Sequence, residues 1–298
     1  MMSIRLPLLL AALFITTTLS AQDAKQDTSY WQCHGNINLT FNQITLTNWA
    51  QGGENSISGI GRVDVSLDYE KGKNTWSNTL ALGYGTLRTS EEWRKNEDKI
   101  DFASKYGHRA KENLFYTGLV QFKSQFTEGF NYPDDTTVIA NFMAPATLLA
   151  SAGMDYKPWA FLSVYLSPAT SKTTFILDEQ VDETTYGLDA GETVRFEFGA
   201  YLKAKFRKEL FKNVSLKSKL ELFNNYTDED KGNRKNIDVD WQTTINLKVN
   251  DYISANLFTH LIYDHDIDVP KTDDEGNKYR GKGTQFKEVF GAGFSYKF

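Results

Sequence analysis

The sequence is poor in cysteine and has only one long apolar run. Cys33 is the single cysteine among 298 residues, which excludes an internal disulfide and a cluster of thiolate metal ligands. Beyond the N-terminal 21 residues, no apolar run approaches the ~20 residues of a membrane-spanning helix. If the mature chain enters a membrane, it must do so as a closed β-barrel, because only helices and barrels satisfy every backbone polar group in lipid.

The sequence also lacks an excess of positive charge and any recognisable catalytic motif. Its 33 basic and 38 acidic residues give a formal net charge of −5, so there is no electrostatic footprint for nucleic acid. The four histidines have no metal-type spacing, no G-x-S-x-G motif occurs, and the acidic stretches DEDKGN and DDEGN do not fit the calcium-loop pattern. We therefore expect no enzymatic activity, no cofactor, no metal ion and no nucleic-acid partner.

The N-terminal segment has the features of a secretory signal. In MMSIRLPLLLAALFITTTLSAQ, Arg5 precedes an apolar run from Leu6 to Ile15, and small residues follow at Ser20 and Ala21. This pattern predicts a signal peptide over residues 1–21. We predict a short periplasmic segment over 22–35 and a β-barrel over 36–298.

Apolar and polar residues alternate along most of the mature chain. In VRFEFGAYLKAKF, Val194, Phe196 and Phe198 alternate with Arg195 and Glu197. A period of two is typical of β-strands, whose successive side chains point to opposite faces. About twelve such segments occur, and several reach the ~9–11 residues of a membrane strand rather than the ~5–6 of a globular sheet. A soluble β-sandwich is the alternative.

The connections between these segments alternate between short and long. Outer-membrane barrels have this arrangement, with short periplasmic turns, longer outer loops and both termini in the periplasm. The predicted lipid faces carry almost no charge, with Glu288 as the exception. We therefore predict an all-β protein, a transmembrane antiparallel up-and-down barrel of about twelve strands, in the outer membrane of a Gram-negative bacterium.

Two stretches resemble a known family. NWAQGGENS at 48–56 and LSPATSKTTFILD at 166–178 are similar to an uncharacterised outer-membrane β-barrel family abundant in Bacteroidetes-type bacteria. The resemblance implies a barrel and an outer-membrane location, and it implies no reaction. The last strand, with Phe294, Tyr296 and Phe298, resembles the signal that delivers such barrels to their assembly machinery. Expected partners are this machinery, outer-membrane lipid and lipopolysaccharide, with small solutes as possible ligands.

The polar faces of the strands carry charges that would line the lumen and set ion preference. Barrels of ~8 strands are filled by side chains, whereas ~16–18 strands leave an open channel. We predict a narrow polar, porin-like channel for small solutes. In the alternative, the charges pair across the lumen and plug it, which would give a non-conducting structural barrel or one that binds surface glycan or a partner. The lumen candidates are Arg62, Asp64, Arg195, Glu197, Lys203, Lys205, Lys217, Lys219, Glu221, Asp238 and Asp240.

Four lysines of this set are expected to form a basic patch. Lys203, Lys205, Lys217 and Lys219 lie on neighbouring segments near the predicted periplasmic end. Four aromatic residues are expected to narrow the lumen. They are Phe115, Phe161, Tyr165 and Tyr201.

The loop between the first two strands is the predicted gate. Its apolar ITLTNW stretch is unusual for a loop in water, and Gly52-Gly53 permits a sharp fold-back. The gate candidates are Trp49, Gly52, Gly53 and Glu54.

A second alternative is an outer-membrane hydrolase with aspartate and histidine at the outer rim. The sequences Asp264-His265-Asp266 and Asp134-Asp135 lie in predicted outer loops. Acidic loops are common solvated features, and His260 is predicted to face the lumen.

Overall fold

The computed structural model describes residues 30–45, 55–89, 92–130, 132, 134–273 and 278–298. Trp31–Phe298 form one folded unit. Short 3-10 helices occur at Glu183–Tyr186 and Asn233–Lys235. In the described residues, no helix has both the length and the apolar character needed to cross a membrane. The strands are β1 (Trp31–Ile44), β2 (Ser56–Lys71), β3 (Asn74–Arg88), β4 (Trp93–Lys111), β5 (Leu114–Ser124), β6 (Gly129–Phe130), β7 (Val138–Ala140), β8 (Ala146–Trp159), β9 (Leu162–Phe175), β10 (Val194–Phe211), β11 (Val214–Asn225), β12 (Asp238–Lys248), β13 (Ile253–Tyr263), β14 (Asp268–Thr272), β15 (Lys278–Lys282) and β16 (Gln285–Lys297).

Twelve of these strands form a closed antiparallel barrel in the order β1-β16-β13-β12-β11-β10-β9-β8-β5-β4-β3-β2. The pairing of β1 with β16, from Asn36 opposite Lys297 to Phe41 opposite Ala292, closes the cylinder. The predicted all-β, twelve-stranded up-and-down barrel is therefore confirmed. The other four strands form two hairpins, β6–β7 and β14–β15, within long loops.

The barrel begins earlier than predicted. Trp31 already pairs with Tyr69 of β2, so residues 31–35 belong to β1 and not to the predicted segment 22–35. The sequence Gln32-Cys33-His34-Gly35 has no regular apolar alternation. Its strand conformation comes from backbone pairing with β2, which periodicity does not reveal. Cys33 is an exposed free cysteine within this strand.

Short and long connections alternate around the barrel, as predicted. The short turns gather at one end, called here the turn end, where β1 begins and β16 finishes. The long connections gather at the other end, called here the loop end; the connection 89–92 is the exception, because it has four residues, like the turn-end connection 249–252. The turn-end connections are 72–73, 112–113, 160–161, 212–213 and 249–252. The loop-end connections are 45–55, 89–92, 125–145, 176–193, 226–237 and 264–284.

The long loops have a small apolar core of their own, formed by Val138, Ala144, Ile176, Val181 and Leu188. Tyr186 packs against this core and donates a hydrogen bond of 2.6 Å to the carbonyl oxygen of Ile139. Burial raises the pKa of Tyr186 to about 12. The phenol therefore stays protonated, and keeps its role as a donor, in alkaline solution in which an exposed tyrosine ionises.

The outer face of the barrel is apolar and exposed. Phe196 is 63% exposed, Phe290 62% and Phe294 59%. A water-soluble monomer rarely exposes a continuous apolar surface of this extent. Exposed aromatic side chains also surround the turn end, as in the aromatic girdles of membrane barrels. They include Trp31, Trp76, Tyr106, Tyr116, Tyr156, Trp159 and Tyr296.

The seam between β1 and β16 depends on close backbone approach at Gly293. A Cβ atom added there would overlap the carbonyl oxygen of Leu39 and lie 2.9 Å from Thr40 Cα. Because strand β1 would have to move, we expect Gly293→Ala to lower the free energy of unfolding by about 1–3 kcal/mol. Denaturant unfolding of the refolded chain measures this change.

The matched control for the seam is Gly118→Ala, because an added Cβ at Gly118 meets no atom within 4 Å. Both variants lose the same glycine freedom in the unfolded chain, so their difference isolates the contact at the seam. Equal unfolding midpoints for the two variants would contradict the close approach of β1 and β16.

Candidate functional site: the charged lumen

One side of the lumen is filled by side chains. Ala103, Leu119, Leu149, Tyr165, Tyr201 and Phe223 form a buried cluster inside the barrel. The rings of Tyr165 and Tyr201 meet edge to face, with centroids 6.3 Å apart. Phe115 is also buried. Phe161 does not narrow the lumen, because it lies in the turn at 160–161 and stacks on Trp159.

Next to this cluster lies a charged group, called here the central network: Lys99, Asp101, Lys123, Lys203, Lys219, Glu221 and Asp240. Its centre is the buried carboxylate of Glu221. Lys123 Nζ donates to Glu221 Oε2 at 2.5 Å. The ammonium groups of Lys203 and Lys219 lie 2.8 and 3.5 Å from Glu221 Oε1. These two contacts are ion pairs without hydrogen-bond geometry.

Asp101 is the second acidic centre of the network. Gln121 Nε2 donates to Asp101 Oδ1 at 2.7 Å, and Lys219 Nζ donates to Asp101 Oδ2 at 3.1 Å. The amide oxygen of Gln121 in turn accepts a hydrogen bond of 2.9 Å from Lys203. The predicted residues Lys203, Lys219 and Glu221 are thus held together by two side chains that sequence analysis missed.

The network crosses the lumen. Lys123 on β5 also donates to Asp240 Oδ2 on β12 at 2.9 Å, and Lys99 on β4 donates to Gln242 Oε1 on β12 at 3.1 Å. Strands β4 and β12 are six places apart in the twelve-stranded order, so they lie on opposite sides of the cylinder. His260 Nε2 lies 2.9 Å from Asp240 Oδ1 and extends the network onto β13.

A second charged group lies towards the loop end and is called here the loop-end network: Lys172, Arg195, Glu197, Asp238, Asp264 and Asp266. Lys172 Nζ is 3.3 Å from carboxylate oxygens of both Glu197 and Asp238, and 3.7 Å from Asp264. Arg195 contacts Asp266 at 2.5 Å. Two carboxylates of the hydrolase alternative are therefore engaged in ion pairs.

A third group of charged side chains in the lumen is smaller and is called here the Glu97 bridge. Arg62 Nη2 on β2 and Lys287 Nζ on β16 donate to Glu97 Oε2 on β4 at 3.2 and 2.6 Å. The Arg62 guanidinium also stacks over the ring of Phe258, 4.6 Å from its centroid. Glu97 therefore joins strands that are not neighbours in the sheet.

The described residues leave space inside the barrel that has both charged and apolar side chains in its lining. A cavity of about 450 Å³, called here the basic cavity, lies near the turn end. It shares Asp64, Lys99 and Lys217 with a smaller cavity of about 170 Å³, which extends to Arg62 and Glu97. The two cavities are therefore neighbours, and Arg62 and Glu97 of the Glu97 bridge line the smaller one.

A third cavity of about 480 Å³ lies at the loop end. Its charged lining is mostly acidic and includes Asp189, Glu192, Glu197, Asp228 and Asp266. The basic cavity at the turn end and this cavity at the loop end therefore have linings of opposite charge.

The eleven predicted lumen residues all lie on the inward faces of the strands or line the internal cavities. Lys99, Glu97, Lys123, Lys172 and Lys287 were missed, although each follows the alternation of its strand. The gate candidates Trp49, Gly52, Gly53 and Glu54, and the predicted signal peptide over 1–21, lie outside the described residues.

The predicted assembly signal lies at the seam of the barrel. Phe294 and Tyr296 are exposed on the outer face. The backbone of Phe298 exchanges two hydrogen bonds with Gly35, at 2.8 and 3.0 Å. Its role in assembly stays a prediction.

The chain is similar to a family and to two solved structures. Residues 41–130 match the family described as "Protein of unknown function (DUF3078)". The likeness to an uncharacterised family is confirmed for this span, whereas the bacterial group and the nine-residue motif stay predictions. A comparison with curated proteins finds no match.

Both solved structures are distant in sequence. The translocator domain of autotransporter NalP from Neisseria meningitidis is 11% identical, with a TM-score of 0.37, over 92% of this chain and 90% of that chain. The COG4313 outer membrane channel from Pseudomonas putida F1 is 11% identical, with a TM-score of 0.41, over 93% of this chain and 100% of that chain.

Proposed function

We propose that this chain is an outer-membrane β-barrel that forms a narrow channel for small polar solutes. The observation that carries the proposal is the pair of neighbouring cavities, of about 450 and 170 Å³, which both have charged side chains in their lining and lie inside a closed cylinder with an apolar outer face. Space beside charged side chains, large enough for water, is what a small hydrophilic solute requires. The Glu97 bridge and the central network restrict that space, so the open channel is narrow.

The apolar outer face and the aromatic ring at the turn end support a location in lipid. With both ends of the barrel chain at the turn end, that end faces the periplasm, and the loop end faces lipopolysaccharide and the outside of a Gram-negative cell. The final strand is exposed at the seam, where assembly machinery can reach it. We propose no catalytic role for Asp264 and Asp266, because both carboxylates are engaged in ion pairs.

A non-conducting structural barrel is the second candidate. It is favoured by the central network, in which Lys123 and Lys99 connect opposite walls of the lumen. Surface glycan or another partner would then bind at the loop end, outside the blocked lumen.

Single-channel recording separates the two candidates. We expect the refolded protein in planar lipid bilayers to give small, discrete conductance steps, because the remaining cavity is narrow. Heat-denatured protein is the control for adventitious leaks. If neither the parent nor a variant without the Glu97 bridge conducts any salt, the structural candidate is correct.

A further inference from the structure

Two pairs of like charges lie directly opposite each other at the turn end of the lumen. Lys205 on β10 is paired in register with Lys219 on β11, and Arg207 is paired with Lys217. Like charges at opposing positions of an antiparallel pair are destabilising. Two residues further from the turn end on β10, Lys203 is instead opposite Glu221. The like-charge pairs therefore lie between the Lys203–Glu221 pair and the Glu209–Ser215 pair, which is closer to the turn end.

The next strands do not compensate these charges. In β12, Thr244 lies opposite Lys217 and Gln242 lies opposite Lys219. In β9, Ser163 lies opposite Lys205. Lys219 is neutralised by Asp101 from across the lumen. Among the described residues, no carboxylate lies within 4.0 Å of a further set, called here the free cations. They are Lys205, Arg207, Lys217 and Lys297.

All four free cations line the basic cavity. Its lining contains seven lysine and arginine residues but only two acidic ones, Asp64 and Asp101. Asp101 is already engaged by Lys219 and Gln121. The volume of about 450 Å³ exceeds the ~30 Å³ that one water molecule occupies in the liquid, so it accommodates a small polyatomic ion and its remaining water.

The free cations lie at different depths of the cavity. Arg207 and Lys297 are exposed towards the turn end, whereas Lys205 and Lys217 are half-buried. Lys203, which is 4% exposed, lies at the inner side. Positive charge therefore continues from the opening into the barrel, where the lower dielectric strengthens electrostatic attraction.

We propose that the basic cavity is a binding site for a small oxyanion of the phosphate class. An anion between Lys205 and Lys217 would receive charge-assisted hydrogen bonds and remove the repulsion within the like-charge pairs. The inference deepens the proposed channel function, since it names the class of solute that the lumen holds. Binding itself does not require the lumen to conduct.

Isothermal titration calorimetry with inorganic phosphate tests the site. The full-length mature chain, refolded in a non-ionic detergent at low salt, provides the binding-competent protein and avoids the phosphates of lipid. We expect Lys205→Met and Lys217→Met each to weaken phosphate binding about tenfold, the effect of losing one charge-assisted hydrogen bond. The matched control is Lys212→Met, a lysine exposed in the turn at 212–213, which should bind like the parent.

Unfolding measurements distinguish weaker phosphate binding from misfolding of the variants. Lys205→Met and Lys217→Met remove one member of a like-charge pair, so without phosphate their unfolding midpoints should equal or exceed that of the parent. Added phosphate should raise the midpoint of the parent more than those of the variants, because a ligand stabilises the state that it binds.

The experiments distinguish failure of the binding proposal from failure of the channel proposal. If both variants weaken phosphate binding and the protein does not conduct, the binding site is supported and the channel is overturned. Conductance without phosphate binding overturns the site and leaves the channel. Equal phosphate affinity in the parent, Lys205→Met and Lys217→Met overturns the site, as does equal affinity for chloride and phosphate at matched ionic strength.

Discussion

Glu221→Gln is expected to lower the free energy of unfolding by about 3–5 kcal/mol, the range for removing one partner of a buried ion pair. Glu221 is 5% exposed, and it is within 3.5 Å of the ammonium groups of Lys123, Lys203 and Lys219. Glutamine keeps the shape of the side chain and removes its charge. Three cations then repel one another in a space with little water.

The three lysines will not be affected equally. Lys123 keeps Asp240 and Lys219 keeps Asp101. Among the described residues, Lys203 keeps only the amide oxygen of Gln121 as a partner, so its buried charge is left without a paired carboxylate. Most of the destabilisation should therefore come from Lys203. A second variant, Glu221→Gln with Lys203→Met, should recover part of the lost free energy.

Equilibrium urea unfolding of the refolded protein in lipid vesicles measures the change. Glu209→Gln is the matched control, since Glu209 is an exposed glutamate of β10 that has no ion pair within the described part of the chain. We expect its effect to stay within about 0.5 kcal/mol. A Glu221→Gln variant as stable as this control would show that the central network does not hold the lumen together.

The fold could be predicted from sequence because its signals are local. Residues 194–206 alternate between apolar and polar types, and this alternation already assigns Phe196 to the outer face and Glu197 to the lumen. The lengths of the connections are also local features of the sequence. They predicted which strand ends meet at the turn end and which meet at the loop end. The start of β1 could not be predicted, because residues 31–35 have no apolar alternation and are ordered by pairing with β2.

The contacts inside the lumen could be predicted much less well. Alternation correctly placed Lys203, Glu221 and Asp240 on inward faces, but it could not identify their partners. Lys123 and Asp240 are separated by 117 residues in the sequence and meet only because the barrel closes. Such a contact depends on the relative stagger and tilt of strands that are not neighbours, and this information is distributed over the whole sheet.

The like-charge pairs are a second example of contacts that the sequence alone could not predict. The sequence predicted a basic patch formed by Lys203, Lys205, Lys217 and Lys219. It could not show that Lys203 and Lys219 form ion pairs with Glu221 and Asp101, whereas among the described residues no carboxylate lies within 4.0 Å of Lys205 or Lys217. That distinction follows from the register of β10 on β11 and from residues across the lumen.

Glu97→Gln is expected to open the lumen on the side of the Glu97 bridge. In the parent, the carboxylate of Glu97 holds Arg62 and Lys287 at 3.2 and 2.6 Å. Without the negative charge, the two cations repel each other and are free to move into the neighbouring cavities. Hydrogen bonds to a charged group are worth about 1.5–3 kcal/mol, so the equilibrium between closed and open channels should shift about tenfold or more.

Single-channel recording of the refolded variant in planar bilayers measures this shift as an increased open probability. Glu70→Gln is the matched control, because Glu70 pairs with Arg109 at the exposed turn end, 3.0 Å away, where an ion pair contributes little. The control should conduct like the parent. If Glu97→Gln and Glu70→Gln give the same open probability, the Glu97 bridge is not the restriction in the pore. In that case the central network, which spans the opposite walls through Lys99 and Lys123, must close the lumen on its own.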